Sequence, residues 1–585
     1  MSVLIFGIII NYEVEYKKAI QGVSTEIEVR SIIDSKFLRY YVAKIWVGDP
    51  ENRIQIDTES LSKFDFQFLD AIRDVERDMY SGKNALLKNV IDFFLDYDIK
   101  SNKNISHDEQ VKQIEARKNN FETTSERLVA IIQNRLNLGK DKILSYAKEV
   151  GALFDNYEPD FEGDITENEI YSILQLIVKQ KTGISIPITH NGLGYNNLIY
   201  MSLLLAKMQV DSDGNYLDSN AKVFPILAIE EPEAHLHPTM QLQLVKFLKA
   251  NLKDRKVRQI FVTSHSTHIT SSAELDDIIC LYKINDETKV SYPGKVFYQL
   301  NSSSKLEEKL ESKKYVQRFL DATKSNMLFS EKIIFVEGIS EQLLIPVLAE
   351  YMGKSLEDYH VSVINIGGRY FEHFLYLFDC NKDYTLRRKV ACITDRDPVR
   401  RLKNDTKFKK CYPYELNIDL DNYEYKTNSI MEKYEGNKHP TIRAFLQDSI
   451  YGKTLEYQLA FENETNELLI TPSLENKEEI KRLMEMIKLN KPVRDILNAL
   501  GEGKENERIK NSILRLNDEK LWTDDKKKKA IIASRYLNCV NKGENALELA
   551  TILKDNLSKK GTESYIDFNV PSYIKKAIEW VCEDI

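Results

Sequence analysis

Lys332-Ile333-Ile334-Phe335-Val336-Glu337-Gly338-Ile339-Ser340-Glu341 is the stretch on which the fold turns. Lys332–Val336 is a short apolar run bounded by a glycine turn, which predicts a buried strand. Ser340–Met352 then predicts a helix, Val361–Ile366 a second strand ending in Gly367-Gly368, and Tyr370–Cys380 a second helix. Lys389–Thr394 predicts a third strand, which delivers Asp395-Arg396-Asp397. Strands alternating with helices in this way predict an α/β fold with a parallel sheet and helices on its faces.

Such a sheet collects its strand-end residues at one edge. Glu337 ends the first strand and Glu341 follows in the first turn of the next helix, with Gly338 permitting a sharp turn between them. Asp395 and Asp397, two apart on an extended segment, share a side. Four hard oxygen donors at one point repel unless a divalent cation lies between them, so the expected guest is Mg²⁺ or Mn²⁺. Two such ions can activate a water and stabilise the leaving oxygen of a phosphodiester. Residues 387–410 place ten basic side chains against three acidic ones beside these acids. A patch of that kind tracks phosphates, so the expected substrate is a nucleic acid bound in a salt-sensitive way.

A second constellation lies upstream. The apolar run Lys222–Ile229 predicts a strand that delivers Glu230-Glu231-Pro232-Glu233, and Gln259–Thr263 predicts another, followed by Ser264-His265-Ser266. Paired carboxylates at a strand's carboxyl edge suit Mg²⁺ and an attacking water in ATP hydrolysis, and a histidine on the neighbouring strand suits a γ-phosphate. Gly192-Leu193-Gly194-Tyr195-Asn196-Asn197 is a glycine turn opening a helix, which presents backbone N–H groups to phosphate. No G-x-x-x-x-G-K-[ST] phosphate loop occurs, and Ser81-Gly82-Lys83-Asn84 lacks both the second glycine and the hydroxyl residue.

The remainder sets limits. In 585 residues, 82 Lys and Arg against 90 Asp and Glu give a net charge of −8, which excludes a uniformly basic coat. Six cysteines without a CxxC pair argue against a zinc ribbon or a disulfide scaffold and fit a reducing cytoplasm. The apolar run Val3–Ile10 is too short to span a bilayer, so no membrane association is expected. Thr25–Arg30, Tyr41–Val47 and Asn52–Asp57 alternate and predict antiparallel strands, whereas Phe64–Ile72 leads into a charged helical run. Residues from about 100 to 160 predict a long helical arm, with Val111, Ile114, Phe121, Leu128, Ile131, Ile132 and Leu136 at helical spacing. The expected domains are an ATPase-like head over 1–300, a connecting helix within 301–329, a sheet domain over 330–440 and a helical extension over 441–585.

On these motifs the chain resembles the OLD (overcoming lysogenization defect) family, which joins an ABC-type ATPase head to a Toprim domain and includes anti-phage nucleases. The Glu337-Gly338 and Asp395-x-Asp397 motifs carry the more specific half of the likeness. The resemblance implies that Gly192, Gly194 and Asn196 belong to a signature segment, that Glu230 and Glu231 are Walker B acids, and that His265 is a switch histidine. It places Glu233–Pro238 in a dimer-interface loop. It adds Glu456, in Lys453-Thr454-Leu455-Glu456-Tyr457, as a further metal-binding acid. It also adds Lys542, in Lys542-Gly543-Glu544-Asn545-Ala546, as a catalytic lysine that would stabilise the pentavalent phosphate. In the family the phosphate loop precedes strands like those near the amino terminus, so this chain is expected to start after it.

The resemblance thus implies a metal-dependent DNA endonuclease regulated by ATP binding, acting as a homodimer or higher homo-oligomer, with a helicase-like defence partner. A competing reading is a nucleic-acid-binding sensor or scaffold whose head does not hydrolyse ATP. A topoisomerase or primase would share the Toprim acids, and a topoisomerase would also need a nucleophilic tyrosine.

Overall fold

The computed structural model describes residues 4–583 except 11–12, 24, 38–40, 48–53, 56, 72–85, 103, 150–164, 167–176, 180–184, 188–191, 213–220, 285, 299–305, 429–431 and 517. Ser81–Asn84 and Asn301–Ser304 therefore lie outside the described residues. The chain divides into two compact units, Met1–Ser264 and His265–Ile585.

In the first unit, β1 (Leu4–Ile10), β2 (Tyr41–Val47) and β3 (Ile54–Gln55) form an antiparallel meander, with Leu4 opposite Val47 and Ile10 opposite Tyr41. Thr25–Arg30 is not a strand. Glu26–Ile32 is a helix, because Thr25 caps it by accepting from Glu28 N–H while its hydroxyl donates to the Glu28 carboxylate. That reciprocal cap outweighs a short alternation. Phe64–Leu69 is likewise a strand, β4, and not the approach to a helix. Its aromatics recur every second residue, which is the period of a strand.

After the antiparallel pair β5 (Ile177–Lys179) and β6 (Ser185–Pro187), β7 (Phe224–Glu230) lies between β4 and β8 (Gln259–Thr263), all three parallel. Met201, Leu204, Leu205 and Met208 of the helix Leu193–Asp211 pack with Leu227 and Ile229 of β7. The arm is one helix of 43 residues, His107–Glu149, tied at its start by Arg117 to Asp96 and Asp98. Leu128, Ile131, Ile132 and Leu136 along it are exposed.

The second unit opens with the short helix Thr267–Ser272, followed by the hairpin β9 (Cys280–Ile284) and β10 (Glu287–Ser291). The head was expected to continue to residue 300. Instead Leu275, Val296 and Phe297 pack with residues of the following sheet, and Leu275 N–H donates to Gln317. The connecting helix spans Leu306–Phe319. The sheet that follows contains β11 (Lys332–Val336), β12 (Val361–Asn365) and β13 (Lys389–Ile393), with β11 and β13 buried along their whole length.

Between β13 and the last strand of that sheet the chain forms a small antiparallel sheet of β14 (Val399–Leu402), β15 (Lys409–Lys410) and β16 (Tyr423–Lys426). The fourth parallel strand is β17 (Ile442–Phe445), which falls within the interval expected to be helical. The order is β12-β11-β13-β17. Alternate residues serve two cores: Ile334, Val336, Ala391 and Ile393 pack toward the carboxy-terminal helices. Ile333, Phe335, Val390 and Cys392 pack toward Phe371, Phe374 and Phe378. Residues 455–582 are mainly helical, and the last helix, Ser572–Cys582, packs its buried face into the first of these cores. Among the described residues, no helix is long and apolar enough to cross a membrane.

Candidate acid cluster and nucleotide face

Register places the acids. Val336 pairs with Ile393 and with Asn365, so Glu337, Gly367 and Asp395 emerge at the same edge of the sheet. Asp395 N–H donates to Glu337 Oε1 at 3.2 Å, and the Thr394 hydroxyl donates to the same oxygen. Glu341 occupies the first turn of the helix Ile339–Tyr351. A Cβ added at Gly338 would lie 3.2 Å from Glu341 Oε2, so the glycine admits that carboxylate.

Two more helices start here. Glu456 is in the first turn of Leu455–Glu462, and Lys542 is the first residue of Lys542–Leu557. Lys542 Nζ donates to Glu456 Oε2 at 3.1 Å, and the Ser340 hydroxyl donates to Lys542 O at 3.3 Å. Acidic groups in a helix's first turn are favoured by the dipole, so these helix starts help the fold to tolerate a concentration of negative charge.

That charge is felt by the members. Burial pushes the Asp395 carboxyl well above the usual carboxylate range, and Glu341, Glu456, Asp397 and Glu337 push it further. Glu341 is raised by burial too, with Glu456 and Glu337 adding to the effect. Burial opposes the charge on Lys542, but its pairing with Glu456 and the nearby Asp395 and Asp397 raise its pKa overall. Asp397 has a left-handed backbone, φ +40°, in which a non-glycine residue is strained. Its N–H donates to Lys453 O at 3.0 Å.

Four neighbours escaped the sequence reading. Gln447 Nε2 donates to Asp395 Oδ1 at 2.7 Å, and its side-chain Oε1 accepts Arg396 N–H at 2.9 Å. Asn428 Nδ2 donates to Asp395 O and to Thr394 Oγ1. Thr454 donates to Glu456 Oε2 at 2.9 Å. Arg369 donates from Nη2 to Asp397 Oδ2, and its Nε lies 3.6 Å from Glu337 Oε2. Of the four, Arg369 left a trace in the sequence by directly following the Gly367-Gly368 turn, and Thr454 by standing as the cap of the helix Leu455–Glu462 within the Lys453–Tyr457 segment.

The donor chemistry suits a hard divalent ion. Asp397 Oδ1 is buried and accepts no hydrogen bond, which leaves one carboxylate oxygen without a partner in a cluster with four other acids. Yet among the described residues no three acidic, histidine or cysteine side chains form a ready-made cage, and the Arg369 guanidinium bridges Glu337 and Asp397.

Next to Asp397, β14 and β15 form a hairpin. Three of the arginines near it are paired: Arg396 with Glu435, Arg400 with Glu415 and Arg401 with Glu424. Lys403, Lys407, Lys409 and Lys410 are exposed and make no ion pair among the described residues.

In the first unit, Glu230 ends β7, and Glu231 N–H donates to Thr263 O of β8 at 3.0 Å. Glu231 has φ +39°. The Ser264 hydroxyl donates to Glu233 Oε1 at 2.7 Å. Gly192 caps the helix Leu193–Asp211 in open space. Gly194 faces inward, where a Cβ would lie 2.3 Å from His235 O, so this glycine serves close packing against the 233–238 turn. Asn196 is buried, with Oδ1 accepting no hydrogen bond. His237 caps the helix Pro238–Lys253, which accounts for one of the two neighbouring histidines. His265 is the first residue of the second unit.

Comparison with known proteins matches residues 10–270 to the AAA ATPase domain. It matches residues 328–397 to the TOPRIM domain of overcoming lysogenization defect protein-like proteins. Endonuclease GajA of Bacillus cereus (strain HuB5-5) is 25% identical over 444 residues, which cover 72% of this chain and 57% of that protein. Endonuclease GajA of Bacillus cereus (strain VD045) is 27% identical over 150 residues, covering 26% and 23%. The chain thus spans less than two thirds of the length of these curated relatives. The C-terminal region of the Burkholderia pseudomallei OLD protein is 18% identical, with a TM-score of 0.21, over 43% of this chain and 97% of that one.

Proposed function

We propose that this chain, an AAA ATPase domain followed by an OLD-like TOPRIM domain, is a metal-dependent DNA endonuclease whose head regulates cutting. The observation that carries the proposal is the close approach of Glu337 and Asp395 at one sheet edge, with Lys542 joined to Glu456 beside them. The name carried by the GajA relatives points the same way.

In this reading Glu337, Glu341, Asp395, Asp397 and Glu456 hold Mg²⁺ or Mn²⁺, with two ions expected. Bound divalent ions would supply an activated water and charge stabilisation at the leaving oxygen. The chain's own groups do the rest. Gln447 and Asn428 fix the Asp395 carboxylate and backbone, and Thr394 fixes Glu337. Lys542, whose pKa burial lowers but pairing with Glu456 raises overall, holds a positive charge where a pentavalent phosphate would need it. The four unpaired lysines of the β14–β15 hairpin follow the DNA backbone.

We assign Glu230, Glu231, Gly192 and Asn196 to ATP, Gly194 to the packing of that segment on the 233–238 turn, and His265 to sensing the nucleotide on the family resemblance alone. A homodimer or higher homo-oligomer, a helicase-like partner and an anti-phage role complete the proposal. The Arg369 guanidinium that bridges Glu337 and Asp397 favours a second reading, in which the chain binds nucleic acid as a sensor and does not cut it.

Supercoiled plasmid incubated with the protein and Mn²⁺ separates the two. Nicking that stops with a chelator and in Asp395→Ala is expected. Binding without any cleavage by the folded wild type would overturn the nuclease reading and leave the sensor.

A further inference from the structure

We propose that Arg369 is a displaceable counter-cation: it holds Glu337 and Asp397 together before a divalent ion arrives, and releases them when the ion binds. The proposal rests on the metal-site reading above.

The backbone delivers Arg369 firmly. β12 ends at Asn365, and the turn that follows has Gly367 at φ +73° and Gly368 at φ +133°, both outside the range comfortable for other residues. Gly367 N–H donates to Asn365 Oδ1 at 2.8 Å, and Gly368 N–H donates to Glu337 O at 2.8 Å. The second bond pins the turn to the strand end that carries Glu337. Arg369 therefore reaches the cluster on a fixed backbone, and only its side chain is free to move.

The guanidinium is suited to this place. Its planar fork donates from Nη2 to Asp397 Oδ2 while Nε faces Glu337 Oε2 at 3.6 Å. A lysine, as a point charge, would not span both carboxylates in this way. The arrangement is also incomplete, because the second oxygen of Asp397 stays buried without a hydrogen bond. Arg369 thus offsets part of the repulsion without satisfying the site.

Balance of charge favours exchange. Five carboxylates gather against Arg369, Lys542 and Lys453, of which Lys542 is committed to Glu456 and Lys453 donates to Cys411 O. Replacing a single positive charge at Glu337 and Asp397 by a double one relieves the remaining repulsion. Arg369 has a way out, since its side chain is 36% exposed, whereas Glu337 and Asp397 are 19% and 15% exposed.

A permanent structural arginine and a displaceable one predict opposite signs. If Arg369 competes with the ion, removing it tightens ion binding; if it props the site open, removing it weakens binding. The test is Mn²⁺ binding to the full chain without DNA or nucleotide, followed by electron paramagnetic resonance of free Mn²⁺. Asp395→Ala supplies the baseline for sites elsewhere. Arg369→Ala and Arg369→Gln should bind Mn²⁺ roughly twofold to fivefold more tightly than wild type, the range set by a partly exposed ion pair. Arg369→Lys should fall between them and wild type.

Without metal, the Ala and Gln variants should melt lower than wild type and gain more on adding Mn²⁺. Equal or weaker Mn²⁺ binding in a folded Gln or Lys variant overturns the proposal while leaving the metal site standing. No Mn²⁺ binding above the Asp395→Ala baseline in wild type overturns both.

Discussion

Glu415→Gln gives a sharp test of how the second unit is held together. The Glu415 carboxylate is fully buried and accepts from Arg508 at 2.9 and 2.6 Å, Arg400 at 3.0 Å, Ser512 at 3.1 Å and Tyr412 N–H at 2.7 Å. It joins β14, which carries the basic hairpin, to the helix Lys504–Leu514. Removing one partner of a buried ion pair costs about 3–5 kcal/mol, because the remaining charge is left unpaired. The two arginines are 25% and 30% exposed, so water recovers part of that, and about 3 kcal/mol is expected. For a unit of about 320 residues, with an unfolding entropy near 2.1 cal/mol/K per residue, this is a fall of roughly 4–5 °C in Tm.

The effect carries a pH signature. Burial alone would raise the Glu415 pKa, but hydrogen bonds from Arg508 and Tyr412 N–H and the charges of Arg508 and Arg400 hold it below its ordinary value of 4.5. A carboxylate depressed on folding stabilises above its unfolded pKa and loses that stability as pH falls through the folded one. The gap between wild type and Glu415→Gln should therefore be constant from pH 7 down to about pH 5 and narrow below about pH 4.5. Calorimetry of the full chain measures both. A shift under about 1 °C at neutral pH, or a gap that widens on acidification, would refute the reasoning.

Two further outcomes bear on the proposed chemistry. Lys542→Ala should slow plasmid nicking about 100-fold or more, the usual cost of losing a transition-state cation, with Mn²⁺ affinity changed less than about threefold. A matching loss of Mn²⁺ affinity would assign Lys542 to holding the acids instead. Replacing Lys403, Lys407, Lys409 and Lys410 together by alanine should reduce the slope of log K for DNA against log salt by roughly 3–4, since each phosphate contact contributes about 0.9. An unchanged slope would remove the hairpin from the DNA path.

The sheet of the second unit was legible because β11 and β13 are buried on both faces and read as unbroken apolar runs between turn residues. The positions of Glu337 and Asp395 followed from strand order alone. Glu456 and Lys542 did not, because each is an ordinary polar residue at the start of a helix and only family resemblance marked them. Gln447 and Asn428 were invisible because their partners are set by tertiary register, whereas Thr454, within the Lys453–Tyr457 segment, makes its contact to Glu456 locally. Thr25–Arg30 misled because local alternation and a helix cap share the same residues. The extent of the head misled because Leu275, Val296 and Phe297 find their partners in chain that comes later.

The bond between Ser340 and Lys542 has a bearing on biosynthesis. Glu337 and Asp395 belong to one sheet, but Lys542 is made only after roughly 150 further residues, on the order of ten seconds or more of translation. A ribosome-bound chain that has just passed Asp397 carries four of the acids and lacks Glu456, Lys542 and the helix that Lys542 opens. The full set of groups at this edge is thus completed late, when the helix that begins at Lys542 docks.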